Sequence, residues 1–242
     1  MTKPRIEVFP DAAALAARAA RWIADLACHS SGRFSICLSG GSTPKRLYQL
    51  LAAAPYRDVM PWERTHWFWG DERFVPWDSP DSNYGMARDA LLAHVPVPPE
   101  NIHGIEYEGS LAEGAMAYEE ALKTYAGHGT LDPAYPVFDI MLVGLGPDGH
   151  TASLFPGKPA LGVRDRWVVD VPEPGLDPRV PRVTLTYPAL ESCRSAAFLV
   201  AGADKTAALA GALAGQQDLP SARFAPVGEL IWFVDQAAKG AA

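Results

Sequence analysis

Asp139-Ile140-Met141-Leu142-Val143-Gly144-Leu145-Gly146-Pro147-Asp148-Gly149-His150-Thr151-Ala152-Ser153-Leu154-Phe155-Pro156-Gly157 decides the fold. It opens as a continuous apolar run, the pattern of a strand buried on both faces, and then breaks into glycines and an Asp-Gly turn. Ligands in open α/β sheets bind beyond the carboxyl ends of the strands, so a histidine delivered there by a glycine turn is placed for chemistry. His150 is therefore the central candidate. A helix opening at Thr151 and running to Phe155 would set His150 at its amino end, where the dipole disfavours imidazolium and keeps a neutral base. The competing reading is a structural histidine after a plain Gly-Pro-Asp-Gly turn.

Outward from this strand, Phe34 to Leu38 reads as a short buried strand, followed by Ser39-Gly40-Gly41-Ser42-Thr43-Pro44 and a helical pattern from Lys45 to Ala54. A glycine turn feeding a helix amino end exposes backbone N–H groups, to which the Ser42 and Thr43 hydroxyls add donors, and such a cradle suits a phosphate. It lacks the lysine of a Walker loop and the GxGxxG of a dinucleotide fold, so a nucleotide is disfavoured. A tight turn with an ordinary Ser or Thr cap accounts for the same residues. Thr65 to Gly70 is an aromatic strand ending in Asp71-Glu72-Arg73, read either as one side of a cleft or as a solvated charge run. Asp81-Ser82-Asn83 offers caps for a helix to about His94, and a second helical pattern runs from about Leu111 to Ala126.

Asp11 caps an alanine-rich helix to about Cys28. Beyond Gly157 come a strand at Trp167 to Val171, a proline-laden loop from Pro172 to Pro181 that could fold over a site, and an alternating, half-buried strand at Val183 to Thr186. Ala196 to Ala201 is a further strand, leading into Gly202-Ala203-Asp204-Lys205, where Asp204 is a candidate cap and Lys205 opposes the dipole of the helix it begins, a cost that an anionic ligand would relieve. Leu230 to Val234 closes the sheet. With no repeat or linker, residues 1–242 read as one α/β domain with right-handed crossovers.

The chain has 242 residues, 48% of them hydrophobic, and a net charge of −7, which gives no electrostatic case for nucleic acid or an anionic membrane. Neither a membrane span nor a signal peptide is recognisable, and a cytoplasmic enzyme is expected. Cys28, Cys37 and Cys193 are read as small buried residues, without disulfide or zinc spacing. His66, His94, His103 and His128 show no mutual ligand spacing, so no metal site is expected.

Taken together, the Ser39 to Pro44 loop, Trp69-Gly70-Asp71-Glu72-Arg73-Phe74-Val75-Pro76, Ser82-Asn83-Tyr84, Gly144 to Gly157, Pro181 to Thr186 and Gly202 to Lys205 resemble the 6-phosphogluconolactonase family. The resemblance runs from the first helix to the last strand. It implies a Rossmann-like, mostly parallel sheet flanked by helices, as in the glucosamine-6-phosphate deaminases, and hydrolysis of 6-phospho-D-glucono-1,5-lactone in the oxidative pentose phosphate pathway, with no cofactor. It implies His150 as general base, Arg73 at the reacting end, and the Gly40, Gly41, Ser42 and Thr43 loop with Arg182 and Lys205 on the phosphate. Asp148 or Asp71 would orient the histidine or a substrate hydroxyl. Pro147, inside the glycine turn, departs from the expected pattern. The rivals are a glucosamine-6-phosphate deaminase and a non-catalytic sugar-phosphate sensor. The deaminase relatives continue the turn into a Phe-Asn-Glu-Pro run and carry an aromatic residue after Asp-Glu, whereas this chain has Thr151 to Pro156 and Arg73. A small-molecule substrate and a monomeric state are expected.

Overall fold

The computed structural model describes residues 4–240. Its strands are β1 (Arg5–Phe9), β2 (Phe34–Leu38), β3 (Thr65–Trp69), β4 (Asp71–Arg73), β5 (Phe138–Val143), β6 (Val168–Val171), β7 (Arg182–Leu185), β8 (Cys193–Val200) and β9 (Glu229–Asp235). The helices of eight or more residues are α1 (Ala12–His29), α2 (Ser42–Leu51), α3 (Asn83–Ala90), α4 (Leu111–Ala126) and α5 (Thr206–Leu213). A six-stranded sheet runs in the order β1-β9-β8-β5-β2-β3, and each of its neighbouring pairs is parallel.

The strand order positions the site. From β2 the chain steps to β3 on one side and later returns to β5 on the other, so the order reverses between β2 and β5, in register at Ile36 with Ile140 and Cys37 with Met141. The carboxyl ends of these two strands carry Ser39-Gly40-Gly41 and Gly144 to His150, which places both glycine turns at the switch point of an open α/β sheet. All five residues of β2 are buried, as a strand covered on both faces requires. Asp11 caps α1 through Oδ1, which accepts from the Ala13 and Ala14 N–H groups at 2.8 Å each. The Ser110 and Glu113 pair forms a capping box on α4.

Several expectations are corrected here. Asp71 to Arg73 is not a loop: it is the edge strand of a second, antiparallel sheet in the order β4-β7-β6. Gly70 joins the two sheets, donating to Leu38 O at 3.0 Å and accepting from Leu185 N at 2.9 Å. The Val183 to Thr186 segment is buried along its whole length, because β7 is the middle strand of this sheet. Leu230 to Val234 does not close the main sheet; β1 pairs outside β9 as its edge. Residues Thr151 to Phe155 form a turn, with Leu154 N–H donating to Thr151 O at 2.9 Å and Ala152 at φ 48°. Helix is barred there because a left-handed residue interrupts it and Pro156 disfavours the α conformation at Phe155. Helix α2 starts at Ser42, α3 stops at Ala90, and Cys28 is exposed. No helix among the described residues is long and apolar enough to cross a membrane.

His66 and His103, 37 residues apart, meet with Nδ1 and Nε2 3.0 Å apart, and His103 stacks on Phe68 at 4.4 Å. Burial, then the neighbouring His66, pushes His103 down to about 4; burial, then Arg33, lowers His66. A histidine depressed on folding binds its proton more readily when unfolded, so stability present above pH 6.5 is lost as pH falls toward 4. The ring is partly exposed, which limits the expected loss to about 1–2 kcal/mol. His103→Phe retains the stack on Phe68 and removes the titration; urea denaturation at pH 7.5 and 4.5 is expected to show a correspondingly smaller acid loss in the variant.

Candidate active site

The turn after β5 is built around one aspartate. Gly146 N–H donates to His150 O at 2.9 Å and Gly149 N–H to Gly146 O at 3.0 Å, closing the loop on itself. Asp148 Oδ1 accepts from the His150 backbone N–H at 3.1 Å and faces His150 Nδ1 at 2.5 Å. Asp148 thus forms the turn and orients the ring at once. Burial pushes the Asp148 carboxyl up, but the hydrogen bonds and charge of His150 outweigh burial and hold it below its ordinary value. An ionised carboxylate can only accept, so Nδ1 carries the hydrogen and Nε2 is the basic nitrogen. With no helix following His150, this pairing, and not a helix dipole, sets the tautomer.

Glycine is required at 146 by the same geometry. A Cβ there would lie 2.0 Å from His150 Nδ1 and 2.1 Å from Cε1. Gly146→Ala is expected to drive the imidazole off Asp148 while the chain stays folded, lowering kcat by roughly tenfold to a hundredfold, the scale of a displaced catalytic group. Steady-state kinetics alongside circular dichroism checks it.

A pocket of about 440 Å³ opens at the switch point, within the range of small-molecule sites at roughly 300–1,000 Å³. His150, Asp71, Arg73, Gly40, Gly41, Arg182 and Lys205 all line it. Strand β4 sets Arg73 directly opposite Arg182 of β7. Like charges facing each other across an antiparallel pair are destabilising. Arg182 is 3% exposed, and burial, with Arg73 adding its repulsion, lowers its pKa despite Asp71. Arg73 Nη1 donates to Asp81 O at 2.7 Å, and Arg182 Nη2 to Leu176 O at 3.3 Å and Pro178 O at 3.0 Å. The buried Nε of each has no partner among the described residues. A buried guanidinium beside a half-buried one, each with an unspent donor, is a pairing that an anion between them would relieve.

Asp71 is 7% exposed and its Oδ2 accepts from Ser153 Oγ at 2.6 Å, which ties β4 to the His150 turn. Of the two aspartates considered for the histidine, Asp148 is the one that touches it. Lys205 ends a 3₁₀ turn, Ala203–Lys205, with Nζ 3.0 Å from Asp204 Oδ2; Asp204 does not cap α5. Ser42 and Thr43 are not on this pocket. Gly41 is the N-cap of α2, so the chain has turned away by Ser42, and both side chains line a neighbouring depression with Lys45 and Arg46.

Sequence reasoning missed Asn83 and Glu72. Asn83 lines the pocket, donates through Nδ2 to Asp71 O at 3.0 Å, and lies so close to Gly40 that a Cβ there would be 1.9 Å from its Oδ1. Glu72, 1% exposed, accepts from the N–H groups of Arg73, Asn83 and Tyr84. The signal available for Asn83 was its place in Ser82-Asn83-Tyr84, a stretch read for helix capping and for the family resemblance with no role given to its side chain. The strap from Pro172 to Pro181 reaches the pocket through Leu176 and Asp177.

The model of the family described as glucosamine-6-phosphate isomerases/6-phosphogluconolactonase matches residues 10–232. A 6-phosphogluconolactonase of Nostoc sp. is 44% identical over 243 residues, covering 98% of this chain and 97% of the relative. A 6-phosphogluconolactonase of Synechocystis sp. is 46% identical over 215 residues, covering 86% of this chain and 84% of the relative. Among solved structures, the crystal structure of 6-phosphogluconolactonase from Thermotoga maritima superposes with a TM-score of 0.83 at 30% identity, covering 97% of this chain and 100% of that one.

Proposed function

The chain belongs to the glucosamine-6-phosphate isomerase/6-phosphogluconolactonase family, and from that membership we propose that its switch-point pocket hydrolyses 6-phospho-D-glucono-1,5-lactone to 6-phosphogluconate. The observation that carries the reading is the base, His150 oriented by Asp148, on the wall of a pocket that the paired Arg73 and Arg182 also line. The histidine can take a proton and the guanidiniums can hold an anion, which a phosphorylated cyclic ester needs.

His150 Nε2 takes a proton from water as the water oxygen attacks the lactone carbonyl carbon. The carbonyl oxygen becomes the tetrahedral oxyanion, facing Arg73 or a backbone N–H of the glycine turn. Collapse breaks the bond from that carbon to the ring oxygen, and the proton held by His150 passes to the departing oxygen. Water thus adds across the ester, and no side-chain nucleophile is used. The phosphate is held by Arg182, Lys205 and the backbone N–H groups of Gly40 and Gly41; its binding energy positions the ester, far from where it is spent. Asp71, tied to Ser153, is placed to orient a substrate hydroxyl.

The deaminase reading is not favoured: the relative 44% identical over 98% of this chain is named a lactonase, and Thr151 to Pro156, the turn after His150, contains no carboxylate. A sensor without turnover has no use for the Asp148 orientation of His150. The test is the decay of freshly generated 6-phospho-D-glucono-1,5-lactone with and without the protein, net of spontaneous hydrolysis. Accelerated decay is the expected result; an unchanged rate overturns the reading, and glucosamine 6-phosphate is then assayed for deamination.

A further inference from the structure

Phe155 ends the turn that follows His150 and is fully buried. Its ring centroid lies 4.5 Å from the imidazole centroid, tilted by 40°. The Arg182 guanidinium carbon lies 5.3 Å from the same ring centroid. From the strap, Gly175 packs against the ring so closely that a Cβ on it would be 2.9 Å from Phe155 Cδ1, and the next residue, Leu176, gives its carbonyl to Arg182. One rigid ring therefore touches the base, the buried cation and the strap.

We propose that Phe155 is a positioning residue that fixes His150 and Arg182 relative to each other, and hence the spacing between the reacting ester and the phosphate; this rests on the lactonase reading above. Asp148 grips the imidazole at Nδ1 alone, a pivot that leaves the ring free to swing about that hydrogen bond. A flat apolar neighbour removes the freedom without offering a competing polar partner. The same ring attracts the guanidinium through its quadrupole, a contact strengthened by burial. An aliphatic side chain of similar volume would keep the space filled and still lose both effects.

The test uses the full chain with Phe155→Leu, and Phe155→Met as a second variant should the first fold poorly. The control is Phe198→Leu, a fully buried core phenylalanine stacked on Trp232 at 3.9 Å. Well below the unfolding temperature, either Phe155 variant is expected to show kcat lower by about tenfold and KM higher by about fivefold. The control is expected to lose stability with both constants unchanged. In the unliganded protein, the His150 ring ¹⁵N shifts, assigned by their loss in His150→Gln, should move from one tautomer toward a mixture in the Phe155 variants. A lowered melting temperature with wild-type kcat, KM and ¹⁵N shifts overturns the proposal, as does movement of kcat or KM alone, which would mean no coupling of the two groups. Should wild type fail to accelerate lactone decay, the functional reading falls, and the ¹⁵N shifts still decide whether Phe155 holds the imidazole.

Discussion

His150→Ala lowers kcat for 6-phospho-D-glucono-1,5-lactone by at least roughly a hundredfold, the expected size of a lost general base. KM is expected to change far less, because the groups proposed for the phosphate, Gly40, Gly41, Arg182 and Lys205, line other parts of the pocket. The measurement follows lactone decay with wild type and variant side by side and subtracts the spontaneous rate. Equal acceleration by both would move the base to another residue. Asp148→Asn separates orientation from proton transfer. One oxygen, Oδ1, accepts from both the His150 backbone N–H and Nδ1, so the amide of the variant keeps its carbonyl there and holds the ring and its tautomer, while the negative charge that stabilises the imidazolium is lost. A fall in kcat of about tenfold or more is expected, by the reasoning that applies to the aspartate of a Ser-His-Asp triad. Retention of wild-type kcat by Asp148→Asn would leave Asp148 as a turn former and nothing more.

The elements built from contiguous signals were legible in the sequence. Phe34 to Leu38 and Leu111 to Ala126 stand where their patterns place them, because an all-buried strand and a capped amphipathic helix are written in neighbouring residues. The two glycine turns could be assigned to one edge of the sheet because parallel strands share a direction. What the chain did not display locally was the second sheet. Asp71, Glu72 and Arg73 read either as one side of a cleft or as a solvated run, since three charges in sequence usually are solvated, and only pairing with a strand more than a hundred residues later buries Asp71 and Glu72. The same long-range pairing turned the alternating Val183 to Thr186 pattern into a strand buried throughout. The opposition of Arg73 and Arg182 is likewise a fact of register, invisible in spacing. Ser42 and Thr43 line the neighbouring depression and not the His150 pocket, and α2 begins three residues earlier than its apolar pattern implies.

Glu72 is where that non-local burial has the largest consequence for stability. Its Oε1 accepts from Arg73 N–H and Asn83 N–H at 2.7 Å each, and its Oε2 from Tyr84 N–H at 2.6 Å and Ser82 Oγ at 3.1 Å. Burial pushes the carboxyl up to about 7, against the pull of these four donors. One side chain thus closes the amino end of α3, pins β4 to it, and holds the backbone of two residues on the pocket wall, Arg73 and Asn83. Glu72→Ala orphans three backbone N–H groups and a hydroxyl in a buried setting, for an expected loss of about 3–5 kcal/mol in urea denaturation. Glu72→Gln discriminates between two states of the wild-type carboxyl. If Glu72 is ionised, either oxygen replaced by NH₂ faces two donors, and Glu72→Gln is expected to cost about 2–3 kcal/mol despite its shape. Three of the four contacts come from backbone N–H groups, which can only donate, and pH 7.5 lies above the raised value, so this loss is the expected outcome there. A Glu72→Gln variant as stable as wild type would mean that burial wins, that the folded protein keeps a proton there, and that the cap is a neutral one.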